Sequence, residues 1–206
     1  VLEEKIGKLF EEAGFRLEEK DLKRFAVYLQ ELKRWNRIHN LTAARNEEEI
    51  IKRHFIDSLS LAKCFLDLGI DWQDRFVADV GSGAGFPGVP LKIYLKDIHL
   101  YLIESVGKKC SFLEYLKIKL NLDYEVLCER AEEVKRKFYI VVARALGEFE
   151  KVVPLLEDIS ERYVFVMKGK ELRKEWTDDL GYEPYRVNIK GLTKSYILWK
   201  NLTKLK

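Results

Sequence analysis

The residues whose types and spacing could do chemistry lie in one stretch, Asp79-Val80-Gly81-Ser82-Gly83-Ala84-Gly85-Phe86-Pro87-Gly88, and in one acid beyond it, Glu104. Glycine tolerates backbone angles that other residues avoid and lets a ligand approach the main chain closely. The stretch follows the short apolar run Phe76–Val80 and leads into a helical pattern from Val89 to Leu95. That context predicts a strand-to-helix turn whose backbone faces a ligand. Glu104 ends the next apolar run, His99–Ile103, where doubly wound folds place an acid against ribose hydroxyls.

Two ligand chemistries compete for this loop. A dinucleotide site wants G-x-G-x-x-G, so that a pyrophosphate can rest on the helix N-terminus. Here the glycines are spaced G-x-G-x-G, and Pro87 and Pro90 stiffen the place where that helix would start. Asp79 adds a carboxylate at the strand end, which suits a cationic amino-acid ligand better than a diphosphate. S-adenosylmethionine, with its ammonium and sulfonium, is therefore the expected cofactor, held by Asp79, Gly81, Gly83, Gly85 and Glu104. An NAD-dependent oxidoreductase is the alternative, because Glu104 would serve either ligand.

If the reaction is methyl transfer, the acceptor can be narrowed by what the chain lacks. Pyrimidine carbon methylation needs a nucleophilic cysteine, and Cys64, Cys110 and Cys128 have no adjacent proline. Exocyclic amine methylation is associated with an Asn/Asp-Pro-Pro-aromatic motif after the fourth strand, where this chain has Ala143-Arg144-Ala145-Leu146. Ribose 2′-oxygen methylation uses a Lys-Asp-Lys-Glu set, whose Asp position is taken by Arg144. What remains is an acceptor with a free lone pair and no proton to lose, such as guanine N7 on its Hoogsteen edge. A ribosomal protein or a small molecule is the alternative substrate.

These groups must be positioned by a particular order of elements. Residues up to about 66 read as helices, with apolar positions recurring at helical spacing from Leu22 to Ile38 and again from Glu47 to Phe65. On the second of these, His54 and Asp57 share a face and are expected to fix the helices onto the rest. From Arg75 onward short apolar runs alternate with helical patterns: Phe76–Val80, His99–Ile103, Tyr124–Leu127, Phe138–Ala143 and Tyr163–Met167. The expected fold is α/β, a doubly wound and mostly parallel sheet. A hairpin of Tyr185–Ile189 and Ser195–Trp199 adds an antiparallel edge. Residues 1–70 would be a helical N-terminal extension and 71–206 the catalytic domain.

Bulk composition agrees. The 206 residues are 47% hydrophobic, enough to bury a core. The three cysteines are far apart and odd in number, so all are expected as unpaired thiols in a reducing compartment. His39, His54 and His99 are scattered, so no metal site is expected. No run resembles a signal peptide or a membrane span, which points to a soluble cytoplasmic protein. Net charge is only +3, but from Arg186 onward the chain carries Lys190, Lys194, Lys200, Lys204 and Lys206 with no acid. With Tyr182, Tyr185, Tyr196 and Trp199 nearby, that tail is a candidate RNA grip.

Several segments together resemble one family. Trp35-Asn36-Arg37-Ile38-His39-Asn40-Leu41-Thr42-Ala43 and Arg53-His54-Phe55-Ile56-Asp57-Ser58-Leu59 are similar to the N-terminal signature of the bacterial small-subunit (16S) rRNA guanine-N7 methyltransferases, also called the glucose-inhibited division protein B family. Asp79 to Pro90, Ser105 to Lys109, Arg130 to Glu133, Ala143 to Ala145 and Met167 to Gly169 follow in the same order, although Ala143 stands where a Ser is common. The resemblance covers nearly the whole chain. It implies the class I, Rossmann-like methyltransferase fold and methylation of one guanine at N7 in the decoding-region loop of 16S rRNA, in the small subunit or a precursor of it, by an enzyme expected to be monomeric. It also implies that Gly81 and Phe86 touch the donor, that Ala131 and Glu132 meet the adenine edge, and that Arg144 makes a further contact. Lys108, Arg130 and Lys168 match basic positions that face RNA or the catalytic pocket. Arg144, just past a strand's carboxyl end, could fork onto guanine O6 or a phosphate, and Lys168 holds a comparable place.

Overall fold

The apolar runs become strands β1 (Phe76–Val80), β2 (His99–Ile103), β3 (Tyr124–Leu127), β4 (Phe138–Arg144), β5 (Ser160–Gly169), β6 (Glu183–Val187) and β7 (Ser195–Asn201). This is a computed structural model, and it describes residues 1–44, 46–144 and 146–203. The seven strands form one sheet in the order β3-β2-β1-β4-β5-β7-β6. β1 to β5 pair in parallel, and β7 runs antiparallel to both β5 and β6. Because sequence order reverses between β1 and β4, a crevice opens there at the carboxyl ends of the strands. β6 is the edge strand and begins two residues earlier than its apolar pattern suggests. Pro184 fits there because an edge position does not need its missing N–H.

Two apolar layers sandwich the sheet. On one face Val77, Ile140, Val142 and Phe165 join a cluster that runs out to Ile6 and Phe10. That layer holds helices α1 (Leu2–Glu12), α2 (Glu19–His39), α3 (Glu47–Ile50), α4 (Asp57–Leu68), α5 (Gly88–Leu95) and α6 (Gly107–Leu120). On the other face Ala78, Val141 and Ala143 pack with α7 (Phe149–Asp158) and α8 (Lys174–Asp178) through Phe149, Val153 and Trp176. Alternate residues of β4 thus point into different layers, and a strand covered on both sides reads as a continuous apolar run. The N-terminal helices belong to the first layer. Arg24 of α2 donates to Leu120 O and Asn121 O at the end of α6, at 3.0 and 3.1 Å.

The stretch expected as one helix over Glu47–Phe65 runs to Leu68, and it is not uniform. The Asn46 side chain caps its start by accepting from Glu49 N at 2.9 Å, and Gly69 ends it in the left-handed conformation, φ 67°. Between α3 and α4 lies a π-helical turn, Ile51–Ile56, which carries His54 and ends beside Asp57. Such turns are concentrated at functional sites. Hydrophobic periodicity cannot reveal one, because it shifts the spacing by a single residue.

The expectation of three unpaired thiols needs correcting. Cys110 and Cys128 are joined by a disulfide, with Cα atoms 5.8 Å apart. Cys110 sits in the first turn of α6 and Cys128 just past β3, so the β2–α6–β3 crossover unites residues with no telling spacing. Cys64 is buried and free. Among the described residues no helix is long and apolar enough to cross a membrane, and no cluster of His, Cys, Asp and Glu could hold a metal ion.

Candidate active site

At the crevice, the ends of β1, β2 and β3 and the segment after β4 enclose a cavity of about 560 Å³. Gly81 and Gly83 form its floor, Glu104 one side, Ala131 and Glu132 a second, and Leu146 a third. Gly81 has φ +73°, and a Cβ there would stand 2.5 Å from Leu146 Cδ1. Any other residue would be strained in its backbone and crowded against that wall. Glu104 is 6% exposed; its Oε1 accepts from Gly83 N at 2.8 Å and its Oε2 from Val106 N at 2.9 Å. The carboxylate is held in place by the loop and keeps lone pairs for hydroxyl donors. The lining combines apolar Ile103, Leu146 and Val152 with the acids Glu104, Glu129 and Glu132 and the bases Lys109, Arg130 and Lys151, and it suits a nucleoside whose hydroxyls donate to Glu104.

Asp79, Gly85 and Phe86 lie beneath the loop and do not line this cavity. Asp79 is fully buried. Its Oδ2 accepts from Gly88 N at 2.9 Å, and its Oδ1 has no partner among the described residues. Burial pushes its pKa up to about 7, against the lowering effect of the Gly88 bond. A Cβ on Gly85, φ +105°, would stand 2.5 Å from Tyr28 Oη. Tyr28 Oη in turn donates to Ala84 O at 2.6 Å. The Phe86 ring lies between Tyr28, stacked at 5.5 Å, and His54, stacked at 4.6 Å. The helices before residue 70 therefore clamp the glycine loop from below.

A second cavity, of about 420 Å³, is lined by Arg53, His54, Asp57, Arg144, Lys168 and Tyr196 among others. Arg144 ends β4, and its guanidinium lies 5.1 Å over the Phe86 ring. It contacts Arg53 O at 3.2 Å, His54 Nδ1 at 3.0 Å and, more distantly, Asp57 Oδ2 at 3.4 Å. A guanidinium has five N–H donors, so these contacts leave some for a ligand. Burial, then the Arg144 charge, lowers the His54 pKa to about 4. Burial raises that of Asp57 although Arg144 opposes it. His54 and Asp57, expected to fix the helices onto the rest, both contact Arg144 at the end of β4.

The remaining expected residues are dispersed. Lys168 lines the second cavity, its Nζ 5.1 Å over the Trp176 ring. Arg130 is exposed at the rim of the first cavity, while Lys108 is exposed on α6 and lines neither. Of the described cations in the basic tail, Arg186, Lys190 and Lys194 are exposed, whereas Lys200 is engaged inside the fold. Lys200 binds Glu157 Oε1 at 3.0 Å and Leu180 O at 2.9 Å, Tyr182 is buried, and Trp199 stacks on Phe165. Lys204, Lys206 and Ala145 lie outside the described residues. Sequence reasoning did not single out Tyr28, Thr42 or Leu146. Tyr28 could have been sought among the apolar positions of α2, but nothing near it in sequence indicates the loop it meets.

Known proteins resemble the chain as follows. The family model described as rRNA small subunit methyltransferase G (GidB) matches residues 21–182. A ribosomal RNA small subunit methyltransferase G of Aquifex aeolicus is 60% identical, spanning 96% of this chain and 100% of that protein. One from Roseiflexus castenholzii is 44% identical, spanning 68% and 61%. Among solved structures, the magnesium protoporphyrin IX methyltransferase of Synechocystis with bound SAM superposes with TM-score 0.59 at 11% identity, over 90% of this chain and 97% of that one. A T. thermophilus 16S rRNA N2 methyltransferase bound to AdoMet and guanosine gives TM-score 0.57 at 15% identity, over 78% and 44%. These likenesses are of fold, and the fold is that of the class I S-adenosylmethionine-dependent methyltransferases.

Proposed function

Since the chain belongs to the rRNA small subunit methyltransferase G family, and is thus an S-adenosylmethionine-dependent methyltransferase of 16S rRNA, we propose that it methylates N7 of one guanine in the decoding-region loop. The family also closes the choice that the glycine loop left open between a dinucleotide and a methyl donor. The observation that supports the reading is that the chain at and just beyond the end of β4 contributes to both cavities, Arg144 to the second and Leu146 to the first, so a base gripped by Arg144 would lie near a donor held beside Leu146.

When bound, the donor supplies a methyl group on a cationic sulfur. The backbone of Gly81 and Gly83 and the Glu104 carboxylate hold its sugar and tail, and Ala131 and Glu132 meet its adenine. Asp79, Gly85 and Phe86 act one layer below, by fixing the loop. Guanine N7 has a lone pair and no proton, so no residue has to serve as a base. Arg144 donates to guanine O6 with the N–H groups its protein partners leave over, and Lys168 stands across the same cavity. Orientation of this kind is worth roughly 7–11 kcal/mol of barrier. Lys108 and Arg130 reach phosphates of the flanking RNA. One chain supplies both cavities, which supports action as a monomer, on the small subunit or its precursor in the cytoplasm.

The test is to incubate the protein with isotope-labelled donor and unmodified small-subunit particles, then to map the modified base by mass. One labelled 7-methylguanine is expected. Label on a protein, or on another atom of the base, would remove the substrate assignment.

A further inference from the structure

We infer that His54, as the neutral tautomer with its proton on Nε2, is a positioning residue that fixes how the Arg144 guanidinium is turned within its plane toward the acceptor base. The inference rests on the reading above that Arg144 grips the guanine.

A guanidinium offers donors and no acceptor. The 3.0 Å contact from Arg144 Nη2 therefore needs a lone pair on His54 Nδ1. The ring proton must then be on Nε2, where it points at Thr42 Oγ1, 2.7 Å away. Thr42 Oγ1 also accepts from Ala44 N at 3.2 Å, and Thr42 N donates to Asn36 Oδ1 at 2.9 Å. The imidazole is thus oriented from behind by the segment between α2 and α3, and it presents one lone pair forward to β4. The partner of one ring nitrogen sets the role of the other.

Phe86 supplies the second restraint. The His54 ring stacks on it at 12° between planes, and the Arg144 guanidinium lies over it. A flat aromatic face limits tilt but leaves a guanidinium free to turn in its own plane. The bond from Nη2 to Nδ1, the shortest of the three Arg144 contacts, restrains that freedom together with those from Nη1 to Arg53 O and Asp57 Oδ2. Around the ring the charges are Arg144 from β4 and Arg53 and Glu49 from its own helix. A protonated ring would set two cations 3.0 Å apart, and the lowered pKa accords with the neutral form.

Three substitutions separate the ring's contacts. His54→Phe keeps an aromatic ring for Phe86 and removes both nitrogens. His54→Asn returns an oxygen near the place of Nδ1, and His54→Gln returns a donor near Nε2 with nothing for Arg144. Turnover on small-subunit particles should fall about 10- to 100-fold in His54→Phe and His54→Gln, as for a lost hydrogen bond to a charged group. His54→Asn should recover most of that loss. Calorimetric affinity for S-adenosylhomocysteine should stay within about 3-fold in His54→Phe, which keeps a ring against Phe86. In an Arg144→Ala background His54→Phe should cost nothing more. If His54→Phe does not fold, the contrast between His54→Asn and His54→Gln decides. Equal turnover of those two, normal turnover in His54→Phe, or a further loss on top of Arg144→Ala would overturn the inference. Normal turnover in Arg144→Ala alone would instead show that Arg144 does not grip the base, whatever His54 does.

Discussion

The two cavities are built in different ways. The first cavity, proposed for the donor, is made of neighbouring segments: a glycine loop, the acid ending the next strand, and the short turn after the third. Its contacts are mostly to backbone, as in the bond between Gly83 N and Glu104 Oε1. The second cavity, proposed for the acceptor, is made of side chains from distant elements, with Arg144 reaching back about ninety residues to His54 and Asp57. A site made of backbone tolerates many substitutions provided its turn angles survive. A site made of side chains fails when one of them is changed.

That contrast can be broken most directly at Arg144. Arg144→Ala should lower turnover about 100-fold or more, the loss expected when a half-buried, hydrogen-bonded charge that orients substrate is removed. Binding of S-adenosylhomocysteine should barely change, and a matching loss of donor affinity would show that the two sides are not separable. Glu104→Ala should do the reverse. It removes two charge-assisted bonds to the backbone, each worth about 1.5–3 kcal/mol. The KM for the donor should rise about 10- to 100-fold while that for RNA stays put.

Gly81→Ala should weaken donor binding by a smaller factor, near 10-fold, from a backbone penalty of about 1–2 kcal/mol. Adding Leu146→Ala relieves the 2.5 Å crowding but not the positive φ. Full rescue by that pair would mean that only space was at stake.

Asp79 offers a pH-dependent test of the layer under the loop. Its folded pKa, about 7, lies above the ordinary 3.8. The stability it contributes is therefore complete below about pH 4 and lost as pH rises through 7. His54, lowered from 6.5 to about 4, acts in the opposite sense, its contribution being lost as pH falls through that interval. Asp79→Asn should flatten the decline of melting temperature toward neutral pH and leave the acid side unchanged. An unaltered profile would show that Asp79 is already ionised in the folded protein. The smallest effect is expected from Tyr28→Phe, which deletes one hydrogen bond to Ala84 O and should cost about 1 kcal/mol of stability.

The same contrast explains what could be read from the sequence. The donor loop was legible because Asp79 to Gly88 is contiguous and its glycines have a physical reason. Glu104 was legible because it ends a strand at a fixed place in a known topology. The sheet was legible because parallel strands read as continuous apolar runs, though β5 extends beyond Tyr163–Met167 to Ser160–Gly169. Burial of Gly85 and Phe86 within the loop was not legible, because the ring that packs on them, Tyr28, comes from a helix some fifty residues earlier. The same limit hid the Cys110–Cys128 bond and the inward use of Lys200, whose partners Glu157 and Leu180 come together only in the folded chain.

The widened turn at Ile51–Ile56 has a consequence for changes in chain length. A ring closed from residue i to i+5 takes in one residue more than the usual i to i+4, and each residue advances a helix by about 100°. Deleting a single residue there would restore an ordinary helix and leave helical content almost intact. It would also swing everything before the cut out of phase with α4, carrying Arg53 and His54 off the arginine they face. Circular dichroism would report a healthy protein, while transfer to the ribosome would stop.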